Sequence, residues 1–266
     1  MITAGIIGGA GYTAGELIRI LLSHPQVSLD FVFSTSQSGS PVNSIHQDLL
    51  GETELLFGDK INPEVDVVFL CLGHGNSKQF LETTKIIDLS TDFRMISDDH
   101  NFVYGLPEFR KEEIKNSQFV ANPGCFATAI NLAILPLAAK QLLKEEVHVN
   151  AVTGATGAGV SLSATSHFTW RDNNFSAYKE FEHQHLNEIN QSIKFLQEHG
   201  EPEVSFIPNR GNFSRGIFAT SYTNFEGSLE DASAIYNEYY QDGPFTHVIS
   251  KEVHLKQVVN TNKCLI

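Results

Sequence analysis

The segment NPGCFATA, residues 122–129, sets Cys125 directly after Pro123 and Gly124 and ahead of an apolar run. That run reads as a helix over residues 125–143, so the thiol falls in its first turn. Unpaired amides and the positive dipole end at such a turn lower a thiol pKa and favour the thiolate, the form that attacks carbonyl carbon. A lone cysteine also serves as a small buried hydrophobe, a description that fits Cys71 in VVFLCLG and Cys264 near the end. The three cysteines form no CxxC pair, which argues against a zinc site or a redox dithiol and fits a reducing cytoplasm.

A thiolate attacking a carbonyl needs a proton carrier, and His183-Gln184-His185 is the candidate in the second half. Glu188 stands three residues beyond His185, a spacing that on a helix places both on one face, where the carboxylate orients the ring or raises its basicity. With 11 histidines in the chain a solvated pair is the bland alternative. A metal is the weaker reading of HxH, because no third ligand of suitable spacing accompanies it. The donors available for an anionic substrate are Arg94, Arg171, Arg210 and Arg215. Arg94, in the segment STDFR that opens with Ser90, falls at the carboxyl edge of the expected sheet, where such folds gather ligands.

Gly8, Gly11 and Gly15 follow a short apolar run and open a helix with Leu17, Ile18, Leu21 and Leu22 at helical spacing. Strand, glycine turn and helix together form a cradle for a dinucleotide pyrophosphate, although a glycine turn is as often simple punctuation. After the next strand, FVFSTSQSG offers Ser34 and Ser36 where an NAD enzyme usually shows an acid. Hydroxyls accept a 2′-phosphate that a carboxylate repels, so NADP is favoured over NAD. A further glycine turn begins at Gly73.

The elements that must position these residues follow from hydrophobic patterning. Strands are expected at residues 2–7, 27–33, 65–72 and 86–89, with a short helix over 77–83, which describes a doubly wound α/β domain. Beyond Pro123 the texture becomes α+β: helices over 125–143, 182–197 and 229–240, and strands over 147–153, 204–208 and 216–224. The boundary falls near residue 124. A net charge of -13 and pI near 5.2 oppose nucleic acid or an anionic membrane as partner, since either demands a broad basic surface. The longest apolar stretch, residues 127–139, is broken by Asn131 and Pro136 and is too short to span a bilayer.

Taken together the segments GGAGYTAGELIRILLSHP (8–25), VVFLCLGHGNS (67–77), IIDLSTDFR (86–94), VYGLPE (103–108), NPGCFATA, TGATGAG (153–159) and HQHLNEI (183–189) resemble the N-acetyl-gamma-glutamyl-phosphate reductases, of the aspartate-semialdehyde-dehydrogenase type. The resemblance implies a Rossmann-type NADP domain over 1–124 and a catalytic and oligomerisation domain with a mixed sheet over 125–266. It implies NADPH-dependent reduction of an N-acylglutamyl phosphate in arginine biosynthesis, by a cytoplasmic dimer or tetramer. Cys125 would be the nucleophile and His185, or His183, the acid/base supported by Glu188. Arg94, Ser90 and Arg215 would hold substrate. Gly8, Gly11, Tyr12, Thr13, Ala14, Gly15, Ser34, Ser36, Gly73 and Gly157 would hold NADP(H). Ala127 and Asn187 stand where the family usually has prolines, as does Gly73, and Val160 stands where arginine is common. Relatives continue past Ile266 through a strand and a helix that returns to the cofactor domain, which implies weak NADPH binding by these 266 residues. The rival readings are a related semialdehyde or glyceraldehyde-phosphate enzyme and a non-catalytic NADP-binding scaffold.

Overall fold

A computed structural model describes residues 1–81 and 84–266, whose contacts divide into the units Met1–Pro123 and Gly124–Ile266. In the first unit the order is β1 (Ile2–Ile7), α1 (Tyr12–Leu22), β2 (Val27–Phe33), β3 (Phe57–Gly58), β4 (Val67–Leu70), β5 (Lys85–Asp88), β6 (Val103–Tyr104), α2 (Pro107–Asn116) and β7 (Phe119–Ala121). All strands are parallel in one sheet of order β3-β2-β1-β4-β5-β7-β6. The chain leaves β1 toward one edge and returns at β4 toward the other, so the gap between their carboxyl ends is the switch point where open parallel sheets bind ligands. Ala14, Ile18 and Leu21 of α1 are buried in one core with Ile6 and Val32, which packs the helix on β1 and β2.

The strand expected over 65–72 pairs only at Val67–Leu70. Asp66 halts it at the start, its carboxylate accepting the amide and hydroxyl of Thr3 at 2.7 and 2.9 Å. Cys71 and Leu72 already belong to the exit turn. The helix expected over 77–83 is a 3-10 turn at Ser77–Phe80, and its last positions, 82 and 83, lie outside the described residues.

The second unit runs α3 (Cys125–Ala139), β8 (Val147–Thr153), α4 (Phe168–Arg171), β9 (Ser176–Ala177), α5 (His185–Leu196), β10 (Val204–Arg210), β11 (Ile217–Tyr222), α6 (Leu229–Tyr240), β12 (Thr246–His247) and β13 (Cys264–Leu265). Its main sheet, of order β11-β8-β10-β9, is mixed: β8 and β10 are parallel, and the two edge pairs antiparallel. Phe126, Ile130 and Ile134 of α3 and Ile189 and Ile193 of α5 meet Val149 and Phe206 of the sheet in one core. A Rossmann-type parallel sheet followed by an α+β unit is the fold class the sequence led us to expect.

Pro136 inside α3 removes the amide that would bond the carbonyl of Leu132, a loss of about 3 kcal/mol in an isolated helix. Tyr240 of α6 donates its hydroxyl to that carbonyl at 2.5 Å, and Tyr236 does the same for Ala133. The helix stops at Ala139 rather than 143, because Gln141 turns the chain at a φ of 61°. Leu143 nonetheless stays buried, which is why the apolar pattern outruns the helix.

Candidate functional site

Cys125 is the first residue of α3 and is exposed. The residue before it, Gly124, caps the helix with extended backbone and donates its amide to Glu188 Oε2 at 2.8 Å. The other carboxylate oxygen of Glu188 lies 3.9 Å from His185 Nε2. A Cβ on Gly124 would stand 2.3 Å from that same nitrogen, so the imidazole rests directly on the glycine that precedes the thiol. Gly124, His185 and Glu188 thus form one closed unit, with both side chains almost fully buried.

The helix expected from 182 begins only at His185, so His183 lies before it. The Nδ1 of His183 accepts the amide of His185 at 3.2 Å, and its ring is enclosed by Phe126, Tyr178 and Phe206 at 5.4, 5.8 and 5.5 Å. Burial first, then the neighbouring His185 and Lys179, push its pKa down to about 4. A neutral ring that caps the next helix and fills the core is a scaffold, so the structure separates two histidines that the HxH spacing left equivalent. Cys71 is equally set apart: burial, with the charge of Asp88, pushes its thiol up to about 12.

In the first unit Gly8 bridges the switch point. Its φ of +88° suits glycine, and a Cβ there would meet the carbonyl of Cys71 at 2.6 Å. Gly11 caps α1 with no side-chain bond, and a Cβ on it would find no atom within 4 Å. Tyr12 and Thr13 follow on the exposed side, whereas Ala14 is buried in the core. Gly15 departs from its expected role: a Cβ there would lie 2.5 Å from His46 Nδ1, so its missing side chain makes room for a histidine rather than for a cofactor. The Nε2 of that ring bonds the carbonyl of Gly9 at 2.7 Å and so braces the turn from behind. Ser34 and Ser36 meet at the end of β2 with their hydroxyls 3.4 Å apart. Open amides, free space beyond Gly11 and paired hydroxyls without an acid fit a dinucleotide phosphate group.

Ser90 also departs from expectation. It is fully buried, donating to Asp88 Oδ2 at 2.7 Å and accepting the amide of Asp92 at 3.0 Å, so its hydroxyl holds a loop rather than a ligand. Asp92 in turn accepts the amides of Gly75 and Ser77, which shapes the turn that starts at the exposed Gly73. Arg94 is buried, with Nε on the carbonyl of Asn122 at 2.9 Å and Nη2 on that of Leu89 at 3.0 Å. It ties the end of β5 to the segment that leads into Cys125.

In the second unit Gly157 sits in a 3-10 turn at Ala155–Ala158, with its Cα side against Thr153. The turn is zipped to residues 213–216 by amides of Gly154, Ala155 and Thr156, which sets Arg215 beside it. A cavity of about 600 Å³ opens at Cys125 between α3 and β11, with Thr128, Leu132, Ile217, Ala219 and Leu255 among its walls. Among the described residues no cluster of side chains suits a metal ion, and no helix is long and apolar enough to cross a membrane. Sequence reasoning passed over His46 and Tyr178, and it offered Arg210 only as one of four arginine donors; its guanidinium carbon lies 4.6 Å from the Tyr178 ring centre. No motif marks them, because each acts on a partner distant in the chain.

The family described as semialdehyde dehydrogenase, NAD binding domain, matches residues 3–117, and semialdehyde dehydrogenase, dimerisation domain, matches residues 125–266. The N-acetyl-gamma-glutamyl-phosphate reductase of Christiangramia forsetii is 70% identical over all of this chain and 85% of its own length. The enzyme of the same name from Flavobacterium johnsoniae is 58% identical over the same shares. Among solved structures, the aspartate semialdehyde dehydrogenase with NADP from Candida albicans shares the fold at a TM-score of 0.71 and 14% identity, covering 96% of this chain and 85% of that one.

Proposed function

This chain belongs to the N-acetyl-gamma-glutamyl-phosphate reductases of the semialdehyde dehydrogenase family, and on that premise we propose that it reduces an N-acyl-L-glutamyl 5-phosphate to the 5-semialdehyde, with release of phosphate, in arginine biosynthesis. It is an oxidoreductase that uses a nicotinamide cofactor and assembles with copies of itself. The finer readings are NADP(H), supported by Ser34 and Ser36 at the end of β2, a dimer or tetramer, and a cytoplasm that keeps Cys125 reduced.

The observation that carries the mechanism is the closed unit of Gly124, His185 and Glu188 at the start of α3. The Cys125 thiolate, favoured by the helix start, attacks the acyl carbonyl; the carbon–oxygen bond to phosphate breaks, and a thioester remains on Sγ. A reduced nicotinamide held at the switch point would supply the hydride for that thioester. Glu188, fixed by the Gly124 amide, keeps the ring of His185 beside the thiol's backbone. His185 would lend a proton to the oxyanion left by hydride addition and take it back as the sulfur–carbon bond breaks, which frees the aldehyde and restores the thiolate. Gly8, Gly11, Tyr12 and Thr13 would hold the cofactor's phosphates at the switch point, and Arg94 and Arg215 the substrate's anions.

The test is mass spectrometry of the protein mixed with N-acetylglutamyl phosphate without NADPH. An acyl adduct on the Cys125 peptide, lost in Cys125→Ser, is the expected result. Phosphate release that persists in Cys125→Ser would overturn the mechanism.

A further inference from the structure

The second unit holds two guanidinium groups side by side with no carboxylate between them. Arg171 is buried and spends its donors on the carbonyls of Thr165, Asn174 and Arg210 and on Ser176 Oγ. Its role is to pin the stretch that leads from α4 into β9. Arg210, whose carbonyl accepts one of those bonds at 2.6 Å, makes no ion pair among the described residues. Its Nε is shut off from solvent with no acceptor, while the residue as a whole is only half-buried.

This arrangement is costly for the fold. An unmet buried donor destabilises the fold. The like charge of Arg171 adds to that; burial first, and then the charge of Arg210, hold Arg171 below the usual arginine range. The contact of the guanidinium with the Tyr178 ring offsets only part of that at a half-open site. The chain has a net charge of -13, yet among the described residues no carboxylate pairs with Arg210. An anionic ligand supplies the missing term.

The place is also specific. Phe126, the neighbour of Cys125 in α3, meets His183 at 5.4 Å between ring centres, His183 meets Tyr178 at 5.8 Å, and Tyr178 underlies Arg210 at 4.6 Å. A row of rings meeting edge to face thus runs from the helix of Cys125 to the guanidinium. Tyr178 reports on both ends: burial pushes its hydroxyl up, Arg210 draws it back, and a charge on Cys125 pushes it up again. Arg210 also ends β10 in register with Thr153, where the glycine turn at 154–159 begins.

We propose that Arg210, braced on the ring of Tyr178, binds an oxyanion of the acyl phosphate substrate next to Cys125. The inference rests on the reductase reading for the identity of that substrate. A guanidinium takes either the phosphate or the α-carboxylate through paired N–H bonds, and substitution by lysine keeps the charge but loses the fork.

Two measurements test this on the full chain, with Arg210→Met and Arg210→Lys checked for unchanged melting. The first compares alkylation of Cys125 by iodoacetate and by the neutral iodoacetamide, which needs no turnover. The Arg210→Met variant is expected to lower the iodoacetate-to-iodoacetamide rate ratio roughly three- to tenfold, with partial recovery in Arg210→Lys. An unchanged ratio overturns the proposal. The second compares phosphate release from N-acetylglutamyl phosphate and from its α-carboxamide. A loss in kcat/KM for Arg210→Met that is confined to the carboxylate substrate assigns the α-carboxylate, and an equal loss for both assigns the phosphate. Full activity of Arg210→Met on both substrates overturns the proposal. A wild-type protein that alkylates with the charge preference but releases no phosphate refutes the reductase reading and leaves the anion site standing.

Discussion

At the start of α1 the capping glycine, Gly11, looks into open space, whereas at the start of α3 the capping glycine, Gly124, carries the imidazole of His185 on its Cα and the carboxylate of Glu188 on its amide. Both are strand-to-helix turns with extended backbone at the cap. The first is braced only from behind, by His46 on Gly9, so its forward amides stay available to a ligand. The second is filled by the protein itself, so its forward position is left to a reacting side chain. On the proposed function, one motif of local structure would serve as either a receptor or a reaction centre, and what differs is what a distant segment brings to the glycine.

The largest expected effect that would break this contrast comes from Gly124→Ala. Its Cβ at 2.3 Å from His185 Nε2 must displace the ring. Overpacking of this kind costs about 1–3 kcal/mol in stability, and misplacement of a reacting group by an ångström costs about 100-fold in rate. Urea denaturation and single-turnover phosphate release measure the two, and a fully active variant would show that the ring is not needed where it lies.

A smaller effect is expected from Gly11→Ala, which meets nothing within 4 Å and has a φ of -85° open to any residue. Stability should hold while the Kd for NADPH rises roughly tenfold, because the methyl group occupies the approach to the amides. A fluorescence titration reads this directly. An unchanged Kd would remove Gly11 from the receptor half of the comparison.

The smallest effect concerns His183, whose folded form is neutral with a pKa near 4 against 6.5 for an ordinary histidine. The unfolded chain binds the extra proton between those values, so this contribution to stability is complete above about pH 6.5 and declines toward pH 4, by about 1–3 kcal/mol. Urea midpoints near pH 7 and about pH 5 should differ for the wild type and converge in His183→Gln. If the slope survives the substitution, the ring titrates elsewhere and its assignment as scaffold fails.

Much of this molecule was legible because local pattern and tertiary role coincide. β1, β2, β8 and α6 fall on the expected residues, since each shows a clean apolar run or helical period between turn formers. The glycine turn and the helix start at Cys125 were legible for the same reason, since each stands at a junction between elements. The edge strands β3 and β6 contain only a pair of residues each and have no period to read. The end of α3 was hidden because Leu142 and Leu143 remain in the core after the helix has turned away at Gln141. His46 and Tyr178 escaped, and Arg210 stood as one arginine among four, because their meaning lies in a neighbour supplied by another element. Ser90 and Gly15 carry residue types suited to ligands and also make internal contacts that no local pattern shows.

The hydrogen bond from Gly124 to Glu188 joins residues 64 positions apart. Closing so long a loop carries an entropic cost that the chain meets late in folding, after local helices and hairpins have formed. While the polypeptide is still being made, Cys125 therefore emerges well before the residues that orient chemistry around it. On the proposed mechanism, the thiol would gain its acid/base partner only once α5 docks, so full reactivity would be acquired with completed folding and not by the segment that bears the sulfur alone.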